Sequence, residues 1–121
     1  MLSDRMGNAT EVERVYRDGE AIVREGEPGR EMFVIRSGGA VVRRRAGGEI
    51  SRLAKGDFFG EMSVLESLPR DADVIAVGVT RVLVLGPGAL LVRLRRDPSF
   101  ALELLQSLSR MVRALNERLE P

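Results

Sequence analysis

FGEMSVLESLPRDADV, residues 59–74, decides the reading of this chain. Gly60 removes a side chain where a strand gives way to a short helix, so backbone can approach a ligand closely. The N–H groups of Glu61, Met62 and Ser63 then open the helix at Glu61 to Leu65. There they lack intrahelical partners and favour an anion. Ser67-Leu68-Pro69 stops the helix, and Arg70 follows with a planar fork of donors suited to two phosphate oxygens. Glu61 conflicts with a bare phosphate, because a carboxylate repels it. The conflict is removed if the ligand is a ribose phosphate. Glu61 then accepts from a sugar hydroxyl while Arg70 and the amides hold the phosphate. Two plainer readings stand beside this one: Glu61 as a first-turn acid facing the helix dipole, and Arg70 paired with Asp71 or Asp73 at the surface.

Upstream, short apolar runs alternate with glycine-bearing corners. Val12 to Tyr16 and Ala21 to Arg24 read as strands separated by Asp18-Gly19, and Glu25 to Gly29 reads as a turn. Met32 to Arg36 is a strand, turned by Ser37-Gly38-Gly39 into Ala40 to Arg44. Ala46-Gly47-Gly48 turns that into Glu49 to Leu53, and Lys55-Gly56-Asp57 is a further turn. Asp73 to Leu85 resumes as β, with a turn expected near Thr80-Arg81. Such a rhythm points to a β-sandwich or barrel of the jelly-roll kind. Gly86-Pro87-Gly88 opens a short helix, Ala89 to Arg95. Asp97-Pro98 then starts a longer one, with Asp97 as cap and Pro98 at its first position. Phe100, Leu104, Leu105, Leu108, Met111, Val112, Leu115 and Leu119 recur along it at helical spacing. The spacing of Leu104, Leu108, Met111 and Leu115 suits a buried face, a lid, or a two-helix homodimer seam. The organisation expected is one domain over 1–121. It comprises a flexible start at 1–10, a β jelly roll over 11–85 and C-terminal helices over 87–121.

Bulk properties narrow the function classes. The chain has 121 residues, 44% apolar and 31% charged, with a formal net charge of +1. That balance argues against a nucleic-acid or membrane-surface binder. The arginines at 43–45 and at 93, 95 and 96 read as solvated faces. The sequence holds no cysteine and no histidine, so thiolate, Ser-His and Cys-His units are excluded. No metal-ligand cluster is evident, no catalytic residue is expected, and no segment resembles a signal peptide or a membrane span. A soluble cytoplasmic protein, not an enzyme, is expected.

The segment 59–74 resembles the phosphate-binding cassette of the cyclic-nucleotide-binding domain family. That family includes catabolite activator protein, regulatory subunits of cyclic-AMP-dependent kinase and nucleotide-gated channels. The likeness lies in Phe59-Gly60-Glu61 and Pro69-Arg70-Asp71-Ala72-Asp73-Val74. It extends to Gly19-Glu20, to Glu25 to Gly29, to Met32 to Ile35 with Gly38, and to Gly56-Asp57-Phe58. It implies the double-stranded β-helix of that family, a short phosphate-binding helix and C-terminal lid helices. It also implies a binding site. Glu61 takes the ribose 2′-hydroxyl, Gly60 and the amides of Met62 and Ser63 line the sugar-phosphate, Phe59 belongs to the same ligand site, and Arg70 with the amides of Asp71 and Ala72 takes the cyclic phosphate.

Asp71 departs from the pattern, where a small or hydroxyl residue is usual. A carboxylate ~6 Å from a phosphate costs roughly 3 kcal/mol at an effective dielectric near 20. An arginine contact contributes about 1.5–3 kcal/mol. So either Asp71 faces solvent and offers only its amide, or binding is weak or absent. Lacking a hydroxyl there, the site is expected to take cyclic AMP, with cyclic GMP as the alternative. No DNA-reading helix-turn-helix is expected after the last helix. The expectation is therefore a stand-alone sensor that acts through an unidentified effector protein or through self-association. The rival reading is the same fold with a degenerate pocket, serving as an interaction or oligomerisation module.

Overall fold

The computed structural model describes residues 10–119. Most of the segment expected to be flexible, 1–10, thus lies outside the described residues. Six strands form one antiparallel sheet: β1 (Val12–Tyr16), β2 (Ala21–Val23), β3 (Met32–Arg44), β4 (Gly48–Leu53), β5 (Phe58–Phe59) and β6 (Asp73–Leu85). The hydrogen-bonded path runs β1-β6-β3-β4, with β2 added on β6 and β5 on β3. The sheet does not close on itself. Three helices complete the chain: α1 (Glu61–Glu66), α2 (Pro87–Arg96) and α3 (Pro98–Leu119). The fold is mainly β with C-terminal helices, as the sequence indicates.

Strands β3 and β6 pair along nearly their whole lengths and form the spine of the sheet. Two turns expected from the sequence are not turns. Ser37-Gly38-Gly39 lies within β3, and Thr80-Arg81 lies within β6. Between Ser37↔Arg81 and Gly39↔Val77 the register slips, because β6 uses more residues than β3 over that step. The glycines supply the bend: Gly38 has φ 79° and Gly78 φ 70°. A Cβ on Gly38 would lie 2.4 Å from the Val79 carbonyl oxygen. The fully buried Thr80 mends the broken ladder. Its hydroxyl donates to the Gly39 carbonyl at 2.8 Å and accepts from the Gly39 N–H at 3.3 Å. A bulge of this kind bends the strands and sharpens their twist. The two halves of the spine thereby come to share one core.

The apolar runs MFVI (32–35) and VLVL (82–85) serve two cores at once, because successive side chains leave a strand on opposite faces. Phe33, Ile35, Val82 and Val84 meet Ile22, Ala40, Phe59, Val74 and Ala76 inside the sandwich. Met32, Val34, Leu83 and Leu85 meet Phe58, Val64, Ala89, Leu90, Phe100 and Leu104 beneath the helices. Each Val, Leu, Ile, Phe or Met among them contributes about 1.5–3 kcal/mol when fully buried. The short strand β5 escapes the sequence reading because its two phenylalanines face one core each.

Helix α2 begins at Pro87, two residues earlier than expected, and Asp97 ends it. Asp97 also caps α3, its carboxylate accepting from the Phe100 N–H at 3.2 Å. Arg93 is no solvated-face residue. It is held by Glu11 through two bonds of 2.6 and 2.8 Å and stacks over the Phe100 ring. The apolar stripe of α3 is core only at its start. Phe100 and Leu104 are buried, whereas Met111, Val112 and Leu115 are exposed. No helix among the described residues is long and apolar enough to cross a membrane.

Candidate functional site

Between β5 and β6 the chain makes one helical turn and a loop, and it buries two opposite charges there. Gly60 precedes α1 in the left-handed region at φ 79°. A Cβ on it would lie 2.9 Å from both the Glu31 carbonyl oxygen and Arg70 Nη1. The glycine expected to permit close approach thus first permits the approach of Arg70. Helix α1 turns Glu61, Ser63 and Val64 inward, and Ser67, at φ 57°, ends it. The Ser63 hydroxyl donates to the Leu68 carbonyl at 2.8 Å, tying the helix to the loop that delivers Arg70.

Arg70 is 8% exposed, so it is not a surface partner of Asp71 or Asp73. Its Nη1 donates to the Glu31 carbonyl at 2.7 Å. Its guanidinium lies 5.4 Å over the Phe33 ring, which stacks on Phe59 with centroids 4.8 Å apart. The Arg70 N–H donates to the Glu27 carbonyl, and the Arg70 carbonyl accepts from the Gly26 N–H. Burial pushes the guanidinium pKa down, and Glu31 and Glu27 oppose that shift. One bonded carbonyl and an aromatic face use only part of the five-donor fork.

Glu61 is 6% exposed, and its Oε2 has no hydrogen-bond partner. Burial raises its pKa, since a carboxylate loses hydration there. The N–H of its own residue opposes the shift, and Asp71 adds to it. An unsatisfied buried polar atom costs about 1–3 kcal/mol, more when charged. The first-turn position alone does not explain a carboxylate sunk to this depth.

Of the expected site residues, Phe59, Glu61, Ser63, Arg70 and Ala72 are buried, and Gly60 is partly so. Two point away. The Met62 side chain is exposed, so only its backbone faces inward chemistry. The Asp71 side chain is 71% exposed and forms a 3.7 Å ion pair with Arg44. One expectation is corrected: the Ser63 N–H is not free but donates to the Gly60 carbonyl at 3.2 Å. The sequence reading missed the residues that hold Arg70, namely Gly29, Glu31 and Phe33. Gly29 does not adopt positive φ, yet a Cβ there would sit 2.4–2.5 Å from the guanidinium atoms. Its smallness makes space for Arg70. A separate cleft of about 180 Å³ lies between Lys55, Phe58, Arg93 and Phe100, and none of the expected residues lines it. Among the described residues no cluster of acidic side chains has a metal-binding arrangement.

Known proteins share this architecture. Catabolite activator protein of Thermus thermophilus superposes with a TM-score of 0.78 at 32% identity, over 90% of this chain and 53% of that one. A cyclic nucleotide-binding domain from Methylobacillus flagellatus superposes with a TM-score of 0.73 at 26% identity, over 90% and 66%. A cAMP-dependent protein kinase regulatory subunit of Debaryomyces hansenii is 42% identical over 72 residues, 60% of this chain and 16% of the relative. That of Mycosarcoma maydis is 46% identical over 70 residues, 55% and 13%. The chain spans less than a fifth of these two relatives. The model of the cyclic nucleotide-binding domain matches residues 13–97, well over half of the chain. With β2 to β6, helix α1 and Arg70 all inside that span, the chain belongs to the cyclic nucleotide-binding domain family.

Proposed function

We propose that the chain is a regulatory sensor that binds cyclic AMP between Glu61 and Arg70 and carries out no catalysis. The observation that carries this is the pair of buried opposite charges on one short segment, with Glu61 Oε2 unpartnered and Arg70 only partly engaged. Glu61 accepts the ribose 2′-hydroxyl. Arg70 and the amides of Asp71 and Ala72 take the cyclic phosphate. Gly60 and the Met62 N–H lie along the sugar, and the Ser63 N–H shares its proton with the Gly60 carbonyl. Phe59 supports the floor through its stack on Phe33. The outward Asp71 side chain favours a site in which only its amide serves the ligand. Cyclic AMP is preferred to cyclic GMP because Asp71 offers no hydroxyl donor and because the kinase relatives are cAMP-dependent. Binding then shifts α2 and α3 relative to the sheet and passes the signal to an effector protein.

Calorimetry with cyclic AMP and cyclic GMP tests the reading. Cyclic AMP is expected to bind, and Arg70→Ala to weaken it about ten- to hundredfold, the equivalent of one charge-assisted contact. No heat at millimolar nucleotide, or affinity unchanged in Arg70→Ala, overturns it. A second reading is favoured by the exposed Leu105, Met111, Val112 and Leu115 of α3. In that reading the domain associates with a second copy through this stripe. A nucleotide-independent dimer in light scattering, lost in Met111→Lys/Leu115→Lys, supports it.

A further inference from the structure

Asp71 places a negative charge beside a segment read as an anion site, yet the fold does not leave that charge alone. Arg44, near the end of β3, reaches across 27 positions of sequence. Its Nε donates to the Asp71 carbonyl at 3.3 Å, and its Nη2 lies 3.7 Å from Asp71 Oδ2. The base of Arg44 is held from both sides. Arg43 pairs with Asp73 of β6, and Arg44 itself pairs with Gly48 of β4. Its neighbour Arg45 is tied to Glu25, the backbone N–H donating to the carboxylate at 3.0 Å and Nη2 to the carbonyl at 3.4 Å. Glu25 in turn donates its N–H to Asp73 Oδ1 at 2.7 Å. The guanidinium that meets Asp71 therefore projects from a braced hairpin end. Its other consequence is positional: the Asp71 carboxylate is paired at the solvent-exposed side, with the side chain 71% accessible.

We propose that Arg44 is a positioning residue of the nucleotide site: it withholds and neutralises the Asp71 carboxylate so that a cyclic phosphate can settle beside Arg70. Arg44 touches no ligand in this scheme and acts only through Asp71. The proposal rests on the binding reading above for its ligand. The electrostatic half does not, because Asp71 also acts on the buried Glu61 in the unliganded protein. Removing Arg44 unscreens Asp71 toward both groups. The pair is exposed, with side chains 54% and 71% accessible, so solvent limits the effect. Pairs of this kind couple by about 1.4- to fivefold in an equilibrium constant.

The experiment is a double-mutant cycle on the full chain with cyclic AMP as titrant. Arg44→Met is expected to weaken binding about two- to fivefold, and Asp71→Ala, which keeps the backbone amide and removes the repelling carboxylate, to tighten it. Arg44→Met in the Asp71→Ala background is expected to change nothing further. An equal loss in both backgrounds, or no loss in either, overturns the proposal. A parallel carbon-13 titration of the Glu61 carboxyl in the unliganded variants separates the two layers. Arg44→Met is expected to raise the Glu61 midpoint, Asp71→Ala to lower it, and the double variant to match Asp71→Ala. If wild type and Asp71→Ala both fail to bind either nucleotide, the binding reading falls. The Glu61 titration then still decides whether Arg44 screens Asp71, and an unmoved midpoint in Arg44→Met rejects that.

Discussion

Replacing Glu61 by glutamine should make the unliganded domain more stable and a poorer binder. The side chain keeps its size and its burial, so packing against α1 and β3 is preserved. What changes is the charge. Glu61 Oε2 is buried without a partner, and burial is the main cause that raises its pKa, with Asp71 adding to it and its own backbone N–H opposing. An unsatisfied buried polar group costs about 1–3 kcal/mol, with more for a charge. Glutamine still carries an unsatisfied amide, so the substitution recovers only the charge-specific part, ~1 kcal/mol or somewhat more. For a domain of this size that raises Tm by about 3–5 °C. The gain depends on pH in a definite direction. The folded pKa lies above the ordinary 4.5, so the folded state holds its proton more tightly than the unfolded chain. Below 4.5 both states are protonated and the two proteins should melt together. As pH rises from there through the folded pKa, wild type loses stability and Glu61→Gln does not, so the difference opens and then stays level. Cyclic AMP affinity should move the other way. Exchanging a charged acceptor for a neutral one loses about 1–2 kcal/mol, or roughly five- to thirtyfold in Kd. Calorimetric melts from pH 4 to 8, with nucleotide titrations at neutral pH, read both quantities. A Glu61→Gln protein that melts at or below wild type at neutral pH would falsify the claim that this buried carboxylate is only partly compensated.

The proton on Glu61 also links ligand affinity to pH. The ribose hydroxyl bonds more strongly to the carboxylate than to the neutral acid, so cyclic AMP affinity should rise with pH through the Glu61 pKa, with proton release on binding. Titrations in buffers of different ionisation enthalpy detect that proton, and a pH-independent affinity speaks against the hydroxyl contact. Gly29→Ala should push the guanidinium off the Glu31 carbonyl, since the new Cβ lies 2.4 Å from Nη2. The side chain can swing away, so Tm should change little while Kd rises about tenfold, the worth of one displaced charged contact. An unchanged Kd would show that Arg70 does not work from its observed position. Thr80→Val keeps the shape but deletes the hydroxyl that bridges the bulge. It should cost about 1–3 kcal/mol in denaturant unfolding, with nucleotide affinity of the folded protein retained. A loss below a few tenths of a kcal/mol would mean the bulge holds without it.

The legible part of this protein is the part that is contiguous. Gly60, Glu61, the α1 turn and Arg70 lie within one short stretch, and each residue type there has a chemical reason that needs no distant partner. The strands were legible for the same reason, from runs of apolar residues bounded by glycine. The errors arose where one residue type has two structural uses. Gly38 and Gly78 signal positive φ, and positive φ serves a turn or a bulge equally well. Only the pairing of β3 with β6 decides between them, and that pairing is set by Thr80 against Gly39, 41 positions apart.

The support of the site was illegible on the same ground. Arg70 is aimed by the Glu31 carbonyl, 39 positions away, by the Phe33 face and by the absence of a side chain at Gly29. A carbonyl leaves no mark in a sequence, and a missing side chain in a glycine-rich turn looks like the turn itself. The same holds for Asp71, whose effect on an anion reverses with the direction of its side chain. Alone it reads as a repelling charge. Beside Arg44 it reads as half of an ion pair outside the pocket. The identity of the charges in residues 59–74 is therefore a property of that segment, but the contacts that hold Arg70 and pair with Asp71 come from β3 and the residue before it. Strand β3 supplies Glu31's neighbouring backbone, Phe33 and Arg44, so one braced strand orients the cation and screens the competing anion together.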